Sequence, residues 1–266
     1  MIFVWGTKRK ERTQGFVADF CPICRELRAF QLIRVGLAGH IYYISFGEGK
    51  LAGHIIRCTD CGVDLAVKPT RYLTVEKDPR APLEMLIRDT FPKLREVYAE
   101  RLEVESRIKR SRSALSGDDF KRYLMEPFSL LNPKLEARFG RSTEMDKPAG
   151  IGCLGTIVLA GGLFFVGALK YHEQGPVQDK ILLAALIVGV IGTVYTFVQM
   201  HLGPGRFFRA KIMPRLVKAL KPLQPTRDDV EGCIERCKSL GLKIGKVAKV
   251  DQVWEQLERR IAGFDN

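Results

Sequence analysis

Two long stretches without a charged residue dominate the hydropathy pattern of this chain. They cover residues 149–169 and 181–202, which are 21 and 22 residues long. At 1.5 Å per residue, a helix of this length spans roughly 30–33 Å, the thickness of the hydrocarbon core of a bilayer. The pattern predicts two transmembrane helices, and the alternative is a pair of buried helices in a large soluble core.

The lysines and arginines that flank the two stretches predict their orientation. The predicted loop 170–180 carries two such residues, whereas residues 134–147 carry four and residues 206–221 carry six. Because basic residues are retained on the cytoplasmic side, we expect a multi-pass protein of the cell membrane with both termini in the cytoplasm. Neither stretch contains Asp, Glu, Lys or Arg, which argues against a transporter or pump that works alone.

Small residues recur at every fourth position on both predicted helices. In lipid, small residues let two helix backbones approach closely. We expect these faces to pack the two helices against each other, and dimerisation is the alternative. The residues concerned are Gly152, Thr156 and Ala160 on the first helix, and Ala185, Gly189 and Thr193 on the second.

The region before the apolar stretches divides into a β-rich part and a helical part, so we predict a multi-domain α+β membrane protein. Glycines separate strand-like segments at 30–35, 41–46 and 54–57, so we predict a small β-rich domain over 1–67. Residues 68–81 contain prolines and charges that are typical of a linker. Three- and four-residue apolar spacing then predicts a cytoplasmic helical region over 82–147. An amphipathic helical pattern covers 82–113, in which Pro92 fits best at or near a helix start. A second helix begins near Ser116 and meets Pro127, and Pro133 and Pro148 interrupt the approach to the apolar centre.

A basic amphipathic segment, residues 204–222, follows the second apolar stretch. Such a segment is typical of a helix that lies on the anionic inner leaflet, so Phe208, Ile212 and Leu216 are expected to dip into the interface. The anionic head groups are expected to contact Arg206, Arg209, Lys211, Arg215, Lys218 and Lys221.

The last part of the chain, residues 226–266, is predicted to be helical. Thr226 and Asp229 form a capping-box pattern at the start of one helix, and a final helix is expected over 250–261. Cys233 and Cys237 lie four residues apart, which is the spacing of one helix face. Buried thiols are the favoured interpretation, with half of a metal site as the alternative.

The net charge of +13 is not spread evenly along the chain. Residues 1–147 contain 27 Lys and Arg against 20 Asp and Glu, residues 203–266 contain 14 against 8, and the residues between are balanced. A strongly basic protein is often a nucleic-acid binder, but membrane topology accounts for the same distribution. The apolar run at residues 1–5 is too short for a signal peptide, and its basic residues follow it instead of preceding it.

Two Cys-x-x-Cys pairs carry the clearest chemistry of the sequence. They are Cys21 with Cys24 and Cys58 with Cys61, separated by residues 25–57. Two thiolates at this spacing lie on one tight turn, and two such turns complete a tetrahedral four-sulfur site that suits structural Zn²⁺. The alternatives are four ordinary thiols or a redox pair, for which the expected βαβ pattern is missing.

Neighbours of the cysteine pairs add detail to this prediction. Gly62 permits the positive φ angle of such a turn, and Arg25 occupies the equivalent position of the first turn. The charge of Arg25 would offset part of the net negative charge of zinc held by four thiolates. Whether His40 or His54 touches the metal stays open at this point.

Three segments around these cysteines resemble a known family. They are Met-Ile-Phe-Val-Trp-Gly-Thr-Lys at 1–8, Phe-Cys-Pro-Ile-Cys at 20–24 and Arg-Cys-Thr-Asp-Cys-Gly at 57–62. The resemblance, which covers about residues 1–67, is to the uncharacterised bacterial zinc-ribbon 15 domain. It implies zinc at Cys21, Cys24, Cys58 and Cys61, and it implies no established activity.

Three classes of function remain to be compared. A non-enzymatic interaction or scaffold protein, with an unknown cytoplasmic protein partner, is favoured. A membrane-tethered nucleic-acid binder or regulator is the alternative, weakened because the strand 41–46 carries aromatic residues without Lys or Arg. An enzyme is least expected, because the sequence contains no phosphate loop, metalloprotease motif or dinucleotide glycine pattern.

Overall fold

The computed structural model describes most of the chain as a mixed α+β structure. A β-rich N-terminal part is followed by helices, so the predicted α+β class is confirmed. The described residues are 5–41, 44–45, 47–110, 115, 117–139, 147–170 and 175–262.

The described strands are β1 (Trp5–Cys21), β2 (Glu26–Ile41), β3 (Ile44–Ser45), β4 (Lys50–Cys58) and β5 (Asp64–Val67). They form one antiparallel sheet in the order β1-β2-β4-β5, with the short β3 paired to β2. β1 and β2 pair along almost their whole length, from Trp5 opposite Ile41 to Cys21 opposite Glu26. A bulge between Thr13 and Gly15 interrupts this ladder.

The predicted strands at 30–35 and 54–57 are confirmed within β2 and β4. The predicted strand 41–46 is described only at residues 41, 44 and 45, because 42, 43 and 46 lie outside the described residues. The first half of β1 was not predicted. Its charged residues follow one another without an alternating apolar face, so the sequence lacks the usual strand signal there.

The segment expected to be a linker, residues 68–81, packs on the sheet. Phe16 and Glu76 exchange two backbone hydrogen bonds, with N···O distances of 2.7 and 3.0 Å. Tyr72 is buried, and its hydroxyl donates a hydrogen bond to Asp19 at 2.6 Å. These contacts attach the segment to β1 and make it part of the folded body.

Ten α-helices lie in the described residues. The pattern over 82–113 corresponds to three of them, and one of the two divisions falls near Pro92, where a helix start was expected. The next predicted helix does not end at Pro127 but continues to Phe139, so this predicted boundary is wrong. The helices are α1 (Leu83–Thr90), α2 (Leu94–Val97), α3 (Ala99–Arg110), α4 (Gly117–Phe139), α5 (Lys147–Lys170), α6 (Gly175–Phe207), α7 (Met213–Leu220), α8 (Arg227–Ser239), α9 (Lys243–Val247) and α10 (Val250–Ile261).

Helix α4 continues through both Pro127 and Pro133 because its apolar face is held by packing. Phe128, Leu131 and Leu135 are at most 1% exposed. A proline inside a helix costs about 3 kcal/mol or more, and burying each such side chain contributes about 1.5–3 kcal/mol. Tertiary packing therefore outweighs the local preference. The predicted start near Ser116 lies outside the described residues, and the described helix begins at Gly117.

Helices α5 and α6 cover the two apolar stretches and are long and apolar enough to cross a membrane. They pack together through the predicted small residues. A Cβ atom added to Gly152 would lie 2.7 Å from the Tyr195 ring, and one added to Gly192 would collide with the Thr156 side chain. Gly192 belongs to the contact although the four-residue pattern did not include it, whereas Thr193 is exposed.

The helix that begins with α6 does not stop at the predicted end, residue 202. It continues through Gly203, Pro204 and Gly205 into a five-residue π-helical segment, Phe208–Ile212, and then into α7. Helical structure runs for 45 residues, from Asp179 to Leu223.

The apolar side of this extension is buried in the protein core. Phe208, Ile212 and Leu216 are each 0% exposed. The expectation that these three side chains enter the lipid interface is therefore wrong. A basic amphipathic pattern is the same whether the apolar face meets lipid or protein, so the sequence alone did not distinguish the two.

The C-terminal helices complete one core that they share with the sheet. The capping box of α8 is confirmed, since the Thr226 side chain accepts from the Asp229 amide. The predicted final helix is confirmed as α10. The core cluster joins Cys21 of β1 to Phe128 of α4 and Leu257 of α10. The cysteine-bearing turns are consequently packed against helices from distant parts of the chain.

Candidate metal centre

The two Cys-x-x-Cys pairs lie on turns at the same end of the sheet. The first knuckle, residues 21–25, connects β1 to β2, and the second knuckle, residues 58–62, connects β4 to β5. Phe30 of β2 pairs with Cys58 of β4, so the ladder between these strands brings the turns together. The Thr59 amide also donates to the carbonyl of Ala29 at 3.1 Å.

The four sulfur atoms meet in one cluster. All lie within 4.8 Å of one another. The Sγ atoms of Cys21 and Cys61 are 3.5 Å apart, and those of Cys24 and Cys58 are 4.0 Å apart. A tetrahedral zinc ion with Zn–S bonds of about 2.3 Å requires sulfur–sulfur edges of about 3.8 Å. The four cysteines can therefore hold a metal ion without a rearrangement of the backbone.

Both knuckles have the same backbone conformation at the residue after the second cysteine. Gly62 has φ +67°, and Arg25 has φ +60° in the equivalent position. The Gly62 amide donates to the Cys58 carbonyl at 2.9 Å, and the Arg25 amide donates to the Cys21 carbonyl at 2.6 Å. A left-handed conformation is costly for a residue with a Cβ atom, so other contacts must hold Arg25 in place.

Those contacts lie in the interior. The Arg25 guanidinium forms a 2.7 Å ion pair with Glu105 of α3, and its Nε donates to the carbonyl of Ala219 in α7 at 3.0 Å. Burial lowers the pKa of Arg25, and the negative charge of Glu105 opposes this shift. Glu105 also accepts a hydrogen bond from Arg101 at 2.9 Å. The ion pair offsets part of the cost of placing a guanidinium in the core.

Basic side chains of α4 and α7 contact the second knuckle. Arg215 donates to the Cys61 carbonyl, Lys134 donates to the Gly62 carbonyl at 3.1 Å, and Lys218 pairs with Asp60 at 2.9 Å. The hydrogen bond from Lys218 lowers the pKa of the Asp60 carboxyl. Arg25, which was expected to offset part of the charge of the site, is itself paired with Glu105.

The thiols influence one another strongly. Hydrogen bonds with Cys24, Cys58 and Cys61, together with burial, raise the pKa of Cys21. Hydrogen bonds with Cys21 and Cys24 lower the pKa of Cys58. Four adjacent sulfurs cannot all carry a negative charge without compensation. A divalent cation that binds the four thiolates would remove this conflict.

No histidine belongs to the sulfur cluster in the part of the chain that the structure describes. His54 pairs with Arg34 along β4, four residues before Cys58. The His40 side chain lies outside the described residues. Cys233 and Cys237 are buried thiols in α8, as favoured from their spacing, and burial raises the pKa of Cys233 to about 12.

The six basic residues assigned to lipid head groups occupy different surroundings. Arg215 and Lys218 face the second knuckle. Arg206 donates to Gln199 at 2.6 Å. Arg209 and Lys211 are exposed beside the end of α6, and Lys221 is partly buried. The sequence did not reveal that Lys134, Arg215 and Lys218 surround the cysteines, because they lie 72 to 158 residues away from their partners.

Comparison with models of protein families, with curated proteins and with solved structures found no match for this chain. The assignment of a metal centre therefore depends on the chain's own residues and their geometry.

Proposed function

We propose that this chain is a zinc-ribbon protein anchored in the cell membrane, which serves as a non-enzymatic interaction or scaffold protein at the cytoplasmic face. The observation that carries the proposal is the cluster of Cys21, Cys24, Cys58 and Cys61. This cluster is packed against α7, the continuation of an apolar helix. The proposed metal centre and one proposed membrane helix would thus belong to one folded body.

Zinc is the metal that best suits the four sulfurs. Four thiolates in a tetrahedral arrangement are typical of structural zinc. A catalytic zinc ion keeps one coordination position for water or substrate, and four cysteine ligands leave none, so a structural role is favoured. The cations around the second knuckle offset the net negative charge of such a complex.

The apolar helices α5 and α6 are proposed to form a transmembrane hairpin. Only 6% of the most apolar window of α5 and 11% of that of α6 are buried, which does not fit core helices of a soluble protein. Large apolar side chains such as Ile151, Phe165 and Ile191 are more than 60% exposed. A bilayer is the environment that covers such surfaces. The distribution of Lys and Arg favours cytoplasmic termini and an outer loop near 170–180.

We propose contact with anionic head groups for Arg209 and Lys211, which are exposed where the helix leaves the apolar stretch. The cytoplasmic body, comprising the ribbon and residues 82–139 and 226–262, would present its surface to an unknown protein partner. Nucleic acid remains disfavoured: the exposed cations Arg9, Arg12 and Lys109 form ion pairs with glutamates.

Fractionation combined with metal analysis tests the proposal. We expect the full-length protein to stay in membranes after a carbonate wash and to contain one zinc ion per chain after mild-detergent purification. Cys58→Ser should lose zinc, whereas Cys153→Ser, a substitution in α5 away from the cluster, should keep it. Release by carbonate, or purification without bound zinc, would contradict the proposal.

A further inference from the structure

Helix α7 is attached to both knuckles by one of its faces. The Arg215 Nε donates to the Cys61 carbonyl, and the Lys218 Nζ lies 2.9 Å from the Asp60 carboxylate; both contacts involve the second knuckle. The Ala219 carbonyl accepts from Arg25 of the first knuckle at 3.0 Å. Positions 215, 218 and 219 have the three- and four-residue spacing of one helix face.

The two knuckles belong to different strand pairs of the sheet. The first knuckle joins β1 to β2 and the second joins β4 to β5, and the sulfurs of the two lie within 4.8 Å. A metal ion bound by all four sulfurs would connect the knuckles directly. The two knuckles would then be linked twice: directly by the metal, and indirectly by the polar contacts that each makes with α7.

The opposite face of α7 packs into the core through Leu216, Val217 and Leu220, each 0% exposed. Helix α7 also packs against α4 and α10, which carry none of the four sulfurs. Loss of the metal would remove the direct link between the sulfurs and loosen the knuckles, while the β2–β4 ladder and the apolar face of α7 still resist complete release. The expected result is local loosening of α7 and of the π-helical segment before it.

We propose that metal occupancy of the four-cysteine centre controls how firmly α7, the cytoplasmic extension of the second apolar helix, is docked. The proposal rests on the proposed zinc site and adds a regulatory role to it. Because α6, the π-helical segment and α7 form one uninterrupted helix, a change in docking reaches the base of the apolar hairpin. A zinc chelator acting in the cytoplasm would thereby alter the end of a membrane helix.

Hydrogen exchange on the full-length protein in lipid nanodiscs tests this inference. With zinc bound, amides of residues 213–220 should be protected. After chelation, confirmed by metal analysis, their exchange rate should rise by about tenfold or more, while amides of α5 should not change.

Two variants separate docking from metal binding. Arg215→Gln combined with Lys218→Gln keeps all four cysteines, so zinc should remain bound while exchange at 213–220 rises. The matched variant, Arg236→Gln combined with Lys238→Gln, removes two exposed positive charges of α8 and should behave as the wild type. Unchanged exchange after proven zinc loss would overturn the inference alone, whereas a wild-type protein without zinc would overturn the proposed function as well.

Discussion

The guanidinium of Arg25 and the carboxylate of Glu105 form an ion pair at 2.7 Å, with side chains that are 1% and 4% exposed. Arg25 follows the second cysteine of the first knuckle, and Glu105 lies in α3, eighty residues later. The pair therefore links the cysteine-bearing end of the sheet to the helical body. Its burial also makes it sensitive to removal of either partner.

Removal of one partner should be far more costly than replacement of both. Glu105→Ala leaves a buried guanidinium uncompensated and should lower the free energy of unfolding by about 3–5 kcal/mol. Arg25→Met combined with Glu105→Leu should recover most of that loss. Urea titration of the zinc-loaded protein in mild detergent measures these changes.

The control for this prediction is Glu255→Ala, which breaks an exposed pair with Arg259 in α10. An exposed pair contributes about 0.5 kcal/mol or less. Equal losses in the free energy of unfolding for Glu105→Ala and Glu255→Ala would show that the buried pair contributes no more to stability than an exposed pair.

Two glycine-to-alanine substitutions should have opposite effects on stability. Gly62 has φ +67°, and a Cβ atom there would lie 2.8 Å from the Arg215 guanidinium, so Gly62→Ala should destabilise by about 1–3 kcal/mol. Gly232 lies within α8, where an added Cβ atom meets nothing within 4 Å. Gly232→Ala should stabilise by about 0.5–1 kcal/mol. Thermal unfolding measures both, and a stabilising Gly62→Ala would refute the assigned knuckle geometry.

Local signals in the sequence predicted a large part of this structure. The spacing of Cys21, Cys24, Cys58 and Cys61 predicted that four sulfurs would meet, since each pair closes its own turn. The length of the apolar stretches predicted α5 and α6, and the capping box predicted the start of α8.

Features that depend on tertiary packing were not predictable in the same way. Helix α4 continues through Pro127 because buried side chains on either side hold it. Arg215 and Lys218 have a pattern that fits a lipid surface equally well, and only the fold shows that they meet the second knuckle. Periodicity describes a face of a helix and does not identify what covers that face.

The proposed topology predicts the outcome of reporter fusions. Fusions at positions 10 and 266 should report the cytoplasm, and a fusion at position 174 should report the outside. The reason is that Lys and Arg are more numerous before the first apolar stretch and after the second than in the loop between them. Replacement of the exposed Arg209 and Lys211 by Glu tests whether these two residues are needed to keep the C-terminal end of α6 on the cytoplasmic side. A cytoplasmic signal at position 174 would exclude the hairpin topology.

Lipid charge should affect the segment between α6 and α7. Each basic residue near an anionic surface contributes about 1 kcal/mol, and salt screens the effect. Amides of residues 206–212 should therefore be better protected in anionic nanodiscs than in neutral ones, less so at high salt. The difference should shrink in Arg209→Glu combined with Lys211→Glu. Equal protection in both kinds of lipid would show that these basic residues do not bind anionic head groups. They would then set the membrane orientation or bind an acidic protein partner.

The most direct test of the account is zinc-edge X-ray absorption on the full-length protein, purified from carbonate-washed membranes without added metal. The account predicts four sulfur ligands at about 2.3 Å. Cys58→Ser should reduce the sulfur number or abolish binding, and Cys233→Ser should leave the spectrum unchanged. A wild-type spectrum with nitrogen or oxygen ligands in place of sulfur, or a preparation without zinc, would contradict the four-cysteine centre.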